Sequence, residues 1–236
     1  MALDAPIAQL DRASAYEAEG RTFESFWAHH LQGIRMIHVL AWDNVDQRII
    51  DAQQSVLDHF KLEYTLHREN VDHGQWMNSI MESSTDEVVG FLDVDCVPLN
   101  SQIVPAAQTY CVKNKSFIGI AQVSNHIPPA AHIYAAPAFF FINRQAWLDL
   151  GKPTFGVTIC ADVAENVSYA AEERGLPYRA LYPVKCAEPL WRLGNYGMYG
   201  IGTEFIGGIY HLYQSRMSEN MKMFERVCEE VVSNEV

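Results

Sequence analysis

Apolar residues recur along this chain with two different periods, and the switch between them outlines the fold. The run Ile34-Arg35-Met36-Ile37-His38-Val39-Leu40-Ala41 is short, mostly apolar and closed by the polar cluster Trp42-Asp43-Asn44, a pattern that predicts a buried first strand followed by a loop. Beyond it Val45, Ile49, Val56 and Phe60 fall at near-helical intervals and predict an amphipathic helix. A strand over residues 63–66, a helix over 73–82 and a strand over 88–92 follow. This β-α-β-α-β order is that of a parallel sheet covered by helices.

The pattern continues with a helix over residues 101–110 and strands over 117–122 and 138–142, with Pro128-Pro129 and Ala136-Pro137 expected to break the chain between those strands. Residues 163–173 read as a helix stopped by Gly175 and Pro177, followed by a strand near 178–182. Residues 194–208 hold six of the 14 glycines, which predicts either a mobile loop or a stretch where backbone approaches a ligand closely. Met217, Met221, Phe224, Cys228 and Val231 repeat at three and four residues, so residues 217–236 are expected to form an amphipathic helix packed on the body. Residues 1–32 read as a helical leader whose Phe23, Phe26, Trp27 and Leu31 form a packing stripe. The expectation is one α/β domain over residues 33–216, a mixed, mainly parallel central sheet flanked by helices, with a helical appendage at each end. Dimerisation through the leader or the tail helix is left open.

Composition narrows the chemistry. With 236 residues, 49% hydrophobic and 11% aromatic, the chain can bury a large core. A net charge of −12 and a pI of about 5.1 supply no positive field for nucleic acid or an anionic membrane. An anionic substrate would have to be held locally, by a metal or a few basic groups. The five cysteines are odd in number, scattered and without C-x-x-C spacing, which fits reduced thiols in the cytoplasm better than a disulfide framework or zinc knuckle. The N-terminal residues lack a basic region followed by an apolar one, and the most apolar later run, 135–142, is too short to span a bilayer.

The third predicted strand runs directly into Asp93-Val94-Asp95-Cys96-Val97-Pro98, at the sheet edge where open α/β folds bind ligands. If strand geometry persists, residues i and i+2 point the same way, so the carboxylates of Asp93 and Asp95 converge on one hard cation. A divalent ion so held, completed by water and substrate phosphates, would neutralise a leaving nucleoside diphosphate.

Phe91-Leu92-Asp93-Val94-Asp95-Cys96-Val97-Pro98-Leu99 resembles the D-x-D motif of GT-A glycosyltransferases, and the resemblance extends through the β-α-β-α-β order before it. It reappears in Ile209-Tyr210-His211-Leu212-Tyr213-Gln214-Ser215-Arg216, similar to the late histidine motif by which several such families complete the metal shell. It implies transfer of a sugar from a UDP- or GDP-sugar to the hydroxyl of a carbohydrate or other acceptor, with Mn²⁺ or Mg²⁺ as cofactor. Position by position, Asp93 would contact the sugar or ribose and share the metal, Asp95 would ligate it, and His211 would be the third protein ligand. Trp42 and Asp43 would line the nucleotide pocket, and His73 to Asn78 would border it. Asp162 resembles the acidic position that supplies the base in inverting enzymes, although an aspartate just before a helix is also an ordinary N-cap. Arg216, Lys152 and Lys185 are candidate partners for phosphate oxygens, and Asn125-His126 either reaches an acceptor sugar or forms a plain loop.

Three rivals come from other classes. Asp93-Val94-Asp95-Cys96-Val97 also satisfies the D-x-D-x-[TV] pattern of haloacid-dehalogenase-like phosphatases, but that resemblance requires a paired acidic motif downstream, and only Asp149 and Asp162 follow as aspartates. A sugar nucleotidyltransferase would require an early Gly-rich phosphate loop, whereas only Gly20 and Gly33 precede Asp43. A non-catalytic binding protein of the same shape would commonly lose one member of the metal shell, and all three are present.

Overall fold

The computed structural model describes residues 36–124 and 132–233. The leader, Asn125-His126 and Pro128-Pro129 lie outside them. Among the described residues ten strands and six helices follow one another: β1 (Ile37–Ala41), α1 (Gln47–His59), β2 (Tyr64–Arg68), α2 (His73–Ser83), β3 (Val88–Asp93), β4 (Cys96–Pro98), α3 (Ile103–Asn114), β5 (Phe117–Val123), β6 (Ile133–Asn143), α4 (Arg144–Asp149), α5 (Glu165–Glu173), β7 (Arg179–Leu181), β8 (Pro183–Arg192), β9 (Met198–Phe205), β10 (Ile209–His211) and α6 (Ser218–Ser233).

The central sheet has the order β2-β1-β3-β6-β5-β7. β1 pairs in parallel with β2 and β3, β5 in parallel with β7, and β6 is antiparallel to both neighbours, so a single strand opposes the rest. Alternate residues point to opposite faces of a strand, and the core divides accordingly. On one face Ile37, Val39, Val88, Leu92, Phe139 and Phe141 pack with Ile49, Val56, Val104, Cys111, Met221 and Phe224 from α1, α3 and α6. On the other, Leu40, Val89, Phe91 and Phe140 pack with Trp76, Met77, Trp147 and Val167 from α2, α4 and α5. The mixed, mainly parallel sheet flanked by helices is thus the architecture the hydrophobic pattern predicts.

Two expectations are corrected. Pro137 does not break the chain but lies inside β6, because Gly119 pairs with Phe140 and the next residue, Ile120, with Ala136. The bulge between those pairs leaves Pro137 without a required ladder donor on that side, the place a strand tolerates proline. Residues 194–208 are not one loop. They carry β9, within a second, antiparallel sheet of order β4-β10-β9-β8. A Cβ on Gly200 would meet the Glu188 carbonyl oxygen at 2.3 Å, and Gly202 has φ +67° with Tyr210 Oη 3.0 Å from where its Cβ would be. The glycines there serve close packing of strands and a left-handed kink.

Candidate functional site

The chain passes from the large sheet to the small one at the D-x-D sequence. Asp93 is the last residue of β3, Val94 and Asp95 form a turn, and Cys96 opens β4. Strand geometry therefore does not persist through Asp95, and the two carboxylates converge through a turn. Gln53 holds that turn from below: fully buried on α1, it donates its amide to the carbonyl oxygens of Asp93 (2.7 Å) and Cys96 (2.8 Å). A polar residue within the apolar stripe Ile49, Ile50, Val56, Leu57 was the available sequence signal for this brace.

β10 brings the third group. It is antiparallel to β4 with His211 opposite Cys96, and Leu212 N donates to the Asp95 carbonyl oxygen at 3.0 Å. His211 Nε2 then lies 3.2 Å from Asp95 Oδ1 and 4.0 Å from Asp93 Oδ2. His73, first residue of α2, approaches the other oxygen of Asp93 at 3.4 Å. One ligand atom from each of Asp93, Asp95 and His211 lies within 4.8 Å of the other two. Among the described residues, the groups within ion-pair reach of these carboxylates are histidines.

Two partly buried carboxylates facing one another repel. Burial pushes the Asp93 carboxyl above its ordinary range and Asp95 adds to this, against the pull of His73 and His211. Burial also opposes charge on Asp95, yet the His211 ring and the Ser215 hydroxyl hold it below its ordinary value. Two carboxylate oxygens and an imidazole nitrogen aimed at one point suit a divalent cation, the oxygens favouring Mn²⁺ or Mg²⁺.

This cluster lies on a cleft of about 310 Å³ that Trp42, His73, Gln122, Tyr134, Asp162 and Arg216 also line. After β10, Tyr213 and Gln214 adopt left-handed conformations (φ +57° and +49°) that turn the chain over the cleft, and the Gln214 carbonyl oxygen accepts from the buried Asn220 amide at 3.1 Å. The Arg216 guanidinium carbon then sits 5.2 Å from the centre of the Trp42 ring, a cation–π contact, and Trp42 Nε1 donates to the Val71 carbonyl oxygen at 2.9 Å.

Not every candidate reaches the cleft. Asp43 is exposed and bonded to Asn70, at 2.7 Å between side chains. Asn78 braces the segment after α4, accepting from Phe155 N at 3.0 Å and donating to Thr154 Oγ1 at 3.0 Å. Lys152 lies over the Trp147 ring, and Lys185 lines a separate cavity. Asp162 is not the cap of α5. Ala164 takes that position with φ +68° and no side-chain bond, while Asp162 Oδ1 accepts from Val163 N at 2.7 Å.

No known family model matches the chain, and no curated protein matches it in sequence. Solved structures give partial likenesses. The mannosyltransferase PcManGT from Pyrobaculum calidifontis, in complex with GDP-Man and Mn²⁺, superposes with a TM-score of 0.47 at 12% identity, over 71% of this chain and 61% of its own length. A putative glucose-1-phosphate thymidylyltransferase from Bacillus anthracis gives 0.46 at 7% identity, over 83% of this chain and 96% of that one. The protein A197 from STIV gives 0.37 at 14% identity, over 61% and 80%. These superpositions are loose, and the chemistry of the site follows from its own geometry.

Proposed function

We propose that the protein is a metal-dependent glycosyltransferase that moves a sugar from a UDP- or GDP-sugar to an acceptor hydroxyl. The observation that carries this reading is the convergence of Asp93, Asp95 and His211 within 4.8 Å at the sheet edge, on a cleft beside a stacked Trp42–Arg216 pair. Asp95 and His211 would hold Mn²⁺ or Mg²⁺, with Asp93 shared between metal and donor; the imidazole favours Mn²⁺. When bound, the ion supplies Lewis-acid stabilisation of the departing diphosphate. Arg216 adds a fixed cation, Trp42 an aromatic face for the nucleotide, and Asp162 is the candidate base for the acceptor proton. On this reading residues 33–216 are the catalytic unit, with 217–236 as a packing appendage, and the five free thiols fit a cytoplasmic location. Among the described residues, no helix is long and apolar enough to cross a membrane.

A thermal-shift screen of GDP, UDP and their sugars tests the proposal, run with Mn²⁺ and with EDTA on wild type and Asp95→Ala. A ligand that binds only the native state raises its stability by mass action. A Mn²⁺-dependent shift lost in Asp95→Ala is expected; turnover that persists in EDTA would refute the metal mechanism. A shift without turnover would favour a nucleotide-sugar-binding protein that has kept the shell and lost the chemistry.

A further inference from the structure

We propose that Glu165, neutralised by His132, is a positioning residue that fixes the Asp162 carboxylate on the wall of the cleft. The proposal rests on the reading of that cleft as a transferase site.

Asp162 is carried by an irregular turn. The residue before α5, Ala164, is left-handed and contributes no capping side chain, so the turn needs another brace. Glu165, first residue of α5 and 1% exposed, supplies it: Oε2 accepts from the Asp162 backbone N–H at 2.7 Å. The bond reaches back three residues as a capping-box glutamate does, but from the first helical residue to a turn outside the helix, and a carboxylate in the first turn is further favoured by the helix dipole. A buried carboxylate still requires a counter-charge. His132 Nδ1 lies 2.8 Å from Glu165 Oε1, and its Nε2 lies 3.0 Å from Glu172 Oε1, which also accepts from the Tyr178 hydroxyl at 2.7 Å. The imidazole stacks on Tyr169, with centroids 4.0 Å apart and planes 13° from parallel. Glu165, Tyr169 and Glu172 thus form one helical stripe with His132 laid along it.

Burial acts against charge on His132, but the two carboxylates prevail and push its pKa up to about 9, so it bridges them as a cation at neutral pH. Two residues further, on the same face of the strand's start, Tyr134 is fully buried and its hydroxyl meets the Asp162 carboxylate. One strand end therefore grips the turn twice, through Glu165 to its backbone and through Tyr134 to its side chain. Neither Glu165 nor His132 lines the cleft; they act through Asp162.

The test compares full-length wild type with Glu165→Gln, His132→Gln, Asp162→Asn and the double variant Glu165→Gln/Asp162→Asn. GDP-mannose and UDP-glucose with Mn²⁺ are the probes, and nucleoside diphosphate release and calorimetric binding are the readouts. Glu165→Gln and His132→Gln are expected to keep Mn²⁺–nucleotide affinity and KM within about threefold while kcat falls about 10–100-fold. The double variant is expected to be no slower than Asp162→Asn, since residues that act as a unit are non-additive. A lower melting temperature with kcat unchanged would reduce Glu165 to a structural residue and overturn the proposal. Should wild type release no nucleoside diphosphate, the transferase reading fails, and the ¹³C resonance of the Asp162 carboxyl decides the positioning separately. A moved chemical shift and titration midpoint in Glu165→Gln would uphold it, and an unmoved resonance would overturn it.

Discussion

Two clusters in this molecule each set a pair of carboxylates against an imidazole, with His73 as a second imidazole beside Asp93 at the sheet edge, and they differ in how the imidazole nitrogens are shared. In the cluster on α5, His132 gives one nitrogen to each carboxylate, at 2.8 and 3.0 Å, and becomes a cation that binds Glu165 to Glu172. At the sheet edge, a single nitrogen of His211 faces both Asp95 and Asp93, at 3.2 and 4.0 Å, while its Nδ1 is buried without a hydrogen-bond partner among the described residues. The first arrangement offsets one of its two negative charges from within. The second gathers two carboxylates on a cleft wall, in reach of one point where a cation could sit. Residue type does not separate an internal brace from a candidate metal site here; what separates them is how many of the nitrogens of His132 and His211 the carboxylates share.

Stability of the metal-free protein offers the largest expected contrast. Glu165→Ala leaves His132 short of one of its two carboxylates and frees the turn at Asp162, a loss of about 3 kcal/mol for a broken buried pair. Asp93→Asn removes one of two repelling charges and is expected to leave the metal-free protein as stable as wild type or more so. Urea denaturation in EDTA measures both. Equal destabilisation by the two substitutions would erase the distinction between the clusters and weaken the metal reading.

A smaller effect separates the floor of the sheet-edge cluster from its ligands. Gln53→Leu keeps the volume roughly constant but strips the Asp93 and Cys96 carbonyl oxygens of their shared donor. A loss of about 2 kcal/mol follows from leaving buried acceptors unpaired. Because the turn that aims Asp93 and Asp95 is loosened, Mn²⁺ affinity should drop about 10–100-fold, the range typical of groups that orient ligands. Isothermal titration with Mn²⁺ alone is the check, and unchanged affinity would show that the turn holds itself.

These braces are what the sequence hides. The β-α-β-α-β half was legible because its strands are apolar runs between amphipathic helices, and the run Phe91-Leu92 placed Asp93 at a strand end. The second sheet was not: β4 and β10 have three residues each, β9 is broken by Gly200 and Gly202, and β8 is mostly exposed with Pro183 and Pro189 in it. None carries a period long enough to read. The same holds for the cleft. Trp42, His73, Asp162 and Arg216 meet Asp93, Asp95 and His211 there, whereas Asp43 and Asn78 lie in the right segments but turn to Asn70 and to Thr154 and Phe155. Segment position follows from strand order; side-chain direction depends on partners distant in sequence.

The smallest expected effect is in the pH dependence of stability, where a second imidazole makes the comparison sharper. His132 has a folded pKa of about 9 against an ordinary value of 6.5. Its stabilisation is fully present below 6.5 and is lost as pH rises through 9. His38, on β1, has the opposite sign. Burial first, then neighbouring His67, lower its pKa to about 4 against a weaker pull from Asp86, and its Nδ1 shares a 3.1 Å contact with His67 Nε2. Its neutral form belongs to the fold, so stability falls as pH drops from 6.5 through 4. Each limb is on the order of 1 kcal/mol, a shift of a few degrees in Tm for a chain of this size. Melting curves in EDTA from pH 4 to 10 should show His132→Gln flattening the alkaline limb and His38→Gln the acid limb. If His132→Gln left the alkaline limb unchanged, His132 would not be the cation between Glu165 and Glu172, and the contrast with the sheet-edge cluster would fall with it.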